Sequence, residues 1–76
     1  MGTNELYEKA EFYLKNKVAV HIETKSGRYY NGPIIECSNQ HLILLDRILG
    51  KTFLLLSEIV ILEKYKEKKE EAKNGE

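Results

Sequence analysis

The chain has 76 residues and a balanced charge, with 12 lysines and arginines against 12 aspartates and glutamates. A chain this short forms at most one domain and buries a modest share of its surface, so an oligomer or a covering helix would add needed stability. The zero net charge excludes a whole-molecule field that attracts nucleic acid or an anionic membrane, so any nucleic-acid site must be local. The single cysteine, Cys37, excludes an internal disulfide framework and is typical of a reducing compartment, so we expect a cytoplasmic protein.

The first predicted element is an amphipathic helix over about residues 4–16, because its apolar residues fall on one helical stripe. Its polar face mixes acidic and basic residues, which favours a lid on a sheet over a membrane-binding helix. The residues of the stripe are Leu6, Ala10, Tyr13 and Leu14.

The opening residues contain no long apolar run, so we expect neither a signal peptide nor a spanning segment, and no membrane partner.

Two strands are predicted next, over about residues 18–23 and 28–36. The first alternates strictly between apolar and polar residues, which is typical of a half-buried strand. Gly27 is suited to the positive φ of the hairpin turn between the two strands. Gly32 and Pro33 interrupt the second strand and predict a sharp bend there. Such a bend allows a short sheet to curl into a barrel.

Three further strands are predicted over about residues 41–46, 52–56 and 59–63, and all three are apolar on both faces. One face of each can form the barrel core, so the other face needs cover, in part from the N-terminal helix and for the rest from a neighbouring subunit. The last two strands are the expected edges, and head-to-tail pairing between them would close a ring of identical subunits. The predicted interface residues are Phe53, Leu54, Leu55, Leu56, Val60 and Leu62.

The order of elements predicts a mainly β fold, a small and strongly bent five-stranded antiparallel barrel with an N-terminal α-helix. The barrel and helix are expected over residues 1–66. Residues 67–76 are rich in lysine and glutamate and are predicted to be a charged C-terminal tail.

This order of elements resembles the Sm/LSm family, including its bacterial Hfq branch, from Asn4 to Leu62. The shared features are a helix, a strand, a hairpin ending in glycine, a strand bent at Gly32, the segment IIECSNQHLILLD and a final strand pair split at Ser57-Glu58. The resemblance implies an Sm-like, SH3-like barrel in a homo-oligomeric ring of six or seven subunits. It also implies that the ring binds single-stranded RNA around its pore, as a scaffold or chaperone.

Two loops contact RNA in this family, and both differ here from the usual motifs. The first loop, Cys37 to His41, lacks the family's acidic residue, and Leu56-Ser57-Glu58 replaces the Arg-Gly pair of the second. Amide, imidazole and hydroxyl groups in these loops can still contact bases, although ordinary polar turns have the same composition. The RNA-contacting residues that the resemblance implies are Ser38, Asn39, Gln40, His41 and Ser57.

A further candidate lies at Tyr29 and Tyr30, beside Arg28. Neighbouring residues on a strand point to opposite faces, so one tyrosine should be buried and the other exposed. We include Tyr29 among the RNA-binding candidates, because an exposed tyrosine can stack on a base. Contact with a partner protein and packing under the helix are the alternatives.

Cys37, His21 and His41 raise the question of a metal site or a nucleophile. The sequence has no CxxC or HxxxH spacing and no acid placed to orient a histidine, so we expect no metal, no cofactor and no enzymatic activity. The alternative function is a non-catalytic protein-interaction or structural module that keeps the Sm-like fold without binding RNA. The neutral charge and the missing Arg-Gly pair suit that alternative.

Overall fold

The computed structural model describes residues 3–66, and the predicted charged tail lies outside them. Each helix and strand starts within two residues of its predicted position. In chain order, the elements are α1 (Thr3–Lys15), β1 (Ala19–Thr24), β2 (Tyr29–Cys37), β3 (His41–Asp46), β4 (Gly50–Leu55), a 3₁₀ turn (Leu56–Glu58) and β5 (Ile59–Lys64).

The five strands form one antiparallel sheet in the order β4-β3-β2-β1-β5, so the predicted mainly β fold is confirmed. Strand β2 belongs to both halves of this sheet. Its first half, up to Pro33, pairs with β1, and its second half, from Ile34, pairs with β3. The register with β3 shifts between Ile34 and Glu36, which marks a bulge. The bend and the bulge together curl the sheet around its core.

Gly32 is the residue that permits this curl. A Cβ at this position would overlap the carbonyl oxygen of Leu45 and lie 2.9 Å from its carbonyl carbon. The φ of Gly32 is +155°, a conformation that residues with side chains rarely adopt. The backbones of β2 and β3 therefore approach here as closely as only glycine allows.

The core lies between the inner faces of the strands and α1. Leu6 and Ala10 of the helix are buried, and Tyr13 and Leu14 pack against the core from its edge, as the helical stripe predicts. The largest side chains that are fully buried are Ile22, Leu42, Leu44, Leu56 and Val20.

Within residues 3–66, the helices lack the length and hydrophobicity needed to span a membrane.

The predicted subunit interface needs a correction on β4, the 3₁₀ turn and β5. The side chains of Leu54, Leu56 and Leu62 lie in the core of the single chain, so they are not available to a neighbouring subunit. The reason is that both strands keep one inward face, and the apolar sequence does not mark which face that is.

The other three predicted interface residues are exposed. Phe53, Leu55 and Val60 have 60%, 45% and 56% of their surface accessible, and they lie on the two edge strands of the sheet. Exposed apolar side chains along unpaired edges are typical of strands that pair with another chain.

Asp46 fixes the turn between β3 and β4 to the middle of β2. Its carboxylate accepts backbone N–H bonds from Asn31 at 3.0 Å, and from Ile48 and Leu49 at 2.9 Å each. The bond from Leu49 lowers the pKa of Asp46 most. Burial opposes that shift. The hydrogen bonds from Asn31 and Ile48 and the charge of Arg47 reinforce it, so the pKa of the Asp46 carboxyl lies below its usual value. No pattern in the sequence predicts this role.

Candidate nucleic-acid interface

The loop between β2 and β3 meets the 3₁₀ turn at one end of the barrel. The backbone N–H of Leu56 donates to the carbonyl oxygen of Gln40 at 2.9 Å, which ties the two segments together. Beside this bond lies an open groove of about 290 Å³. Its lining residues are Asn39, Gln40, Leu55, Leu56 and Ser57. The structure therefore brings together three of the predicted RNA-contacting residues.

Ser38 holds the loop in shape. Its Oγ accepts hydrogen bonds from the backbone N–H groups of Gln40 and His41, both at 3.2 Å, and lies 3.0 Å from Nδ1 of His41. The Ser38 N–H also donates to the carbonyl oxygen of His41 at 2.8 Å. A serine that bonds to the backbone of its own turn fixes the conformation of that turn. Ser38 therefore orients the loop and does not line the groove.

His41 lies on the outer face of β3, next to the groove but outside its lining. Its ring stacks on Phe53 with a centroid distance of 4.8 Å and an interplanar angle of 22°. Its Nε2 lies 3.5 Å from the Glu36 carboxylate. The imidazole thus stacks on Phe53, contacts Ser38 through Nδ1 and lies near the Glu36 carboxylate. RNA contact by His41 stays a prediction.

Tyr29 is not part of the groove. It is the exposed member of the tyrosine pair, with 64% of its surface accessible, whereas Tyr30 is buried at 9%. The Tyr29 ring lies 5.7 Å from the ring of His21, and the two are tilted by 57°. It lines a different cavity, with Asn31 and Arg47 among its neighbours. Tyr29 is therefore the exposed tyrosine, but it does not line the groove between the two loops.

The outer face of β1 carries a polar cluster that the sequence pattern predicts only in part. Nδ1 of His21 lies 2.7 Å from Oδ1 of Asn31, and Nε2 lies 3.1 Å from the Glu23 carboxylate. Burial lowers the pKa of His21, but the hydrogen bonds to Asn31 and Glu23 and the charges of Glu23 and Glu63 outweigh it, so the net pKa is raised. The strict alternation of β1 already placed His21 and Glu23 on one face, but Asn31 and Glu63 join them only through strand pairing.

Arg47 lies on the same side of the barrel as this polar cluster, where it lines a cavity with Asn31. Its Nη1 donates to the hydroxyl of Tyr65 at 2.5 Å, and its guanidinium carbon lies 5.4 Å from the centre of the Tyr65 ring. This contact connects the turn after β3 to the end of β5. The Arg47 side chain is therefore already engaged within the chain.

The metal and nucleophile question concerns Cys37, His21 and His41. No group of three histidine, cysteine, aspartate or glutamate residues within residues 3–66 is arranged to hold a metal. Cys37 is half-buried at the core edge, and burial, with a smaller effect of Glu11, raises the pKa of its thiol. A raised pKa keeps a thiol protonated and poorly nucleophilic at neutral pH.

The five-stranded, strongly bent sheet with a helix across one end is an Sm-like fold. The chain is similar in structure to Hfq, described with its crystal structure as a pleiotropic translational regulator, with a TM-score of 0.69 and 17% sequence identity. The superposition covers 79% of this chain and 98% of that chain. At this identity the likeness establishes the fold. No protein-family model matches the sequence, and the comparison with curated proteins gives no match.

Proposed function

We propose that this protein is a non-catalytic RNA scaffold or chaperone that assembles into a homo-oligomeric ring and binds single-stranded RNA. The observation that carries the proposal is the meeting of two loops in one groove, where the side chains of Asn39, Gln40 and Ser57 are exposed together. Unpaired bases are recognised by hydrogen bonds along their edges, and amide and hydroxyl groups supply both donors and acceptors. The Sm-like fold supports the same function by resemblance.

The ring is supported by the two edges of the sheet. Within residues 3–66 of a single chain, β4 and β5 each pair with one neighbouring strand. Pairing β4 of one subunit with β5 of the next would satisfy both edges and cover Phe53, Leu55 and Val60. Each copy would then carry its own groove, and a strand of RNA could engage several grooves at once, which raises the overall affinity.

The proposal is tested by light scattering, followed by titration of the same sample with fluorescent oligo-uridine and oligo-adenosine. We expect a mass of several subunits and binding of at least one oligonucleotide. Replacing Asn39 and Gln40 together by alanine should weaken binding by about tenfold or more, since each lost neutral hydrogen bond costs roughly 1 kcal/mol. The matched control is Asn16→Ala, which removes an exposed amide at the end of the helix and should leave the affinity unchanged.

A second function, a protein-interaction or structural module, is favoured by the exposed apolar side chains on β4 and β5 and by the zero net charge. An assembled protein that binds neither oligonucleotide at low salt would support this function and contradict RNA binding. Equal loss of affinity in the double variant and in Asn16→Ala would contradict the assignment of the groove.

A further inference from the structure

The imidazole of His21 lies between two oxygen acceptors on the outer face of β1. Its Nδ1 lies 2.7 Å from Oδ1 of Asn31, and its Nε2 lies 3.1 Å from a carboxylate oxygen of Glu23. Neither an amide carbonyl nor an ionised carboxylate can donate a hydrogen bond, so both ring nitrogens must carry a proton in this arrangement. The geometry is therefore that of the positively charged imidazolium.

The surroundings of His21 favour this charge. Its side chain is 22% exposed, and it pairs with Asn31 on β2 and with Glu63 on β5. Burial lowers the pKa of His21, but the hydrogen bonds and the neighbouring carboxylates outweigh burial, so the pKa is raised. The ionisable groups that face His21 or line the cavity beside it are Glu23, Tyr29, Glu63, Lys64, Tyr65 and Lys66.

The backbone of Asn31 is held independently of its side chain. Its N–H donates to the Asp46 carboxylate at 3.0 Å, and its carbonyl oxygen accepts from the N–H of Arg47 at 3.0 Å. The carboxamide at the end of the side chain has an acceptor oxygen on one side and a donor NH₂ group of similar size on the other. A half-turn about the last side-chain bond exchanges the two without moving the backbone. Asn31 can therefore present either end to His21.

Loss of one proton leaves the imidazole with one donor and one acceptor. If the proton leaves Nδ1 for water, Nε2 still donates to Glu23, and a half-turn of the Asn31 carboxamide brings its NH₂ group to Nδ1. Two hydrogen bonds are then kept. If the proton leaves Nε2 instead, the bare nitrogen faces the Glu23 carboxylate, which is ionised at neutral pH, and one hydrogen bond is lost. The first route is therefore the more favourable one.

The orientation of the carboxamide affects two cavities, because Asn31 lines both. One, of about 560 Å³, lies beside His21 and the end of β5, and the other, of about 280 Å³, lies beside Tyr29 and Arg47. The end of the carboxamide that does not face His21 is the end left for a ligand. That end is the NH₂ donor while His21 is charged and the carbonyl acceptor once His21 is neutral.

We propose that His21 and Asn31 form a proton-controlled switch, which sets whether the cavities on the outer face of β1 offer a ligand a hydrogen-bond donor or an acceptor. A ligand group that accepts, such as a carbonyl oxygen, fits the charged state. A ligand group that donates, such as an amine, fits the neutral state. The switch requires no movement of β1 or β2, and it does not depend on the proposed RNA binding.

NMR of the nitrogen-labelled, full-length protein tests the switch across the pH range in which His21 titrates. At the acidic end, both ring nitrogens of His21 should carry protons. Above the titration, the proton should remain on Nε2, and a coupling through the hydrogen bond should appear between the Asn31 NH₂ group and Nδ1. The NH₂ signals of Asn31 should move with the same midpoint as the ring of His21.

Asn31→Asp provides the matched variant, because it removes the donor end of the side chain and adds a negative charge beside the imidazole. The midpoint of the His21 titration should rise by about one pH unit. Asn16→Asp makes the same chemical change at the exposed end of the helix and should leave the midpoint unchanged. The signals of His41 should be the same in both variants, which checks that the barrel is intact.

Each outcome decides for or against the switch. A neutral ring protonated on Nε2, with the Asn31 NH₂ group coupled to Nδ1 and a raised midpoint in Asn31→Asp alone, supports it. A neutral ring protonated on Nδ1, or no coupling to Nδ1 at high pH, overturns it, because the carboxamide then keeps one orientation. The same midpoint in both variants overturns the contact between Asn31 and His21. If Asn31→Asp does not fold, the spectra of the unmodified protein decide alone.

Discussion

The two halves of the bent sheet have similar inner faces and different outer faces. Around β1, the outer face carries a connected polar cluster in which His21 contacts Asn31 and Glu23. Across β3 and β4, the outer face exposes apolar side chains, among them Phe53 and Leu55. A strand face with satisfied polar contacts can remain in water, whereas an apolar face on an edge strand is typical of surfaces that another chain covers.

Gly32, where the two halves of the sheet meet, should tolerate substitution least. Gly32→Ala places a Cβ against the backbone of β3, and we expect a loss of more than about 3 kcal/mol in the free energy of unfolding, measured by urea denaturation. A domain of this size has little stability to spare, so the variant should be largely unfolded.

Gly27→Ala is the control for backbone conformation without a clash. Gly27 has a φ of +85°, and no atom lies within 4 Å of the position that a Cβ would take, so only the left-handed conformation is penalised. The expected loss is about 1 kcal/mol. Similar losses in the two variants would show that the close approach of β2 and β3 is not what requires Gly32.

A charged residue on the apolar outer face of β4 tests whether this face contacts another subunit. Phe53→Glu should reduce the solution mass of the proposed ring, because it places a carboxylate at the pairing edge of β4, while the circular dichroism spectrum stays that of a folded chain. Phe12→Glu on the helix is the matched control, since Phe12 is 59% exposed against 60% for Phe53. An unchanged mass for Phe53→Glu, or an equal reduction in both variants, would exclude this edge as the specific contact.

The turn between β3 and β4 should depend on pH through Asp46. Its pKa is lowered in the folded protein, so its contribution to stability is present above the unfolded pKa and is lost as pH falls through the folded pKa. Asp46→Ala leaves three backbone N–H groups without their acceptor and should cost about 2 kcal/mol at neutral pH. Urea denaturation at neutral and acidic pH should show the difference between variant and parent shrinking in acid, and a constant difference would contradict the assignment.

The polar outer face should give the smallest effect. The pKa of His21 is raised in the folded protein, so its stabilising contribution is present below the unfolded pKa and is lost as pH rises through the folded pKa. The melting temperature of His21→Gln should change less between mildly acidic and mildly alkaline pH than that of the unmodified protein. In a chain that keeps His21, Glu23→Gln should lower the pKa of His21, as followed by NMR of the ring protons. An unchanged titration would exclude the Glu23 contact.

The candidate groove was predictable only in part. The resemblance implied Asn39, Gln40 and Ser57, and the structure places them together because the Leu56 N–H reaches the Gln40 carbonyl. The same resemblance implied Ser38, whose hydroxyl is instead occupied by the backbone of its own loop. A polar residue in a turn can face a ligand or bond to its own backbone, and the residue type is the same in both cases.

The order of the elements, the helical stripe and the bend at Gly32 could be predicted from the residues, because periodicity, turn residues and backbone freedom are local properties of the chain. Three arrangements are visible only in the folded protein: which apolar residues of β4 and β5 point inward, the binding of Asp46 to the backbone of β2, and the position of His21 opposite Asn31 and Glu63. Those arrangements depend on strand register and on the close crossing of β2 and β3, which bring together groups far apart in the sequence and leave no periodic signal along it.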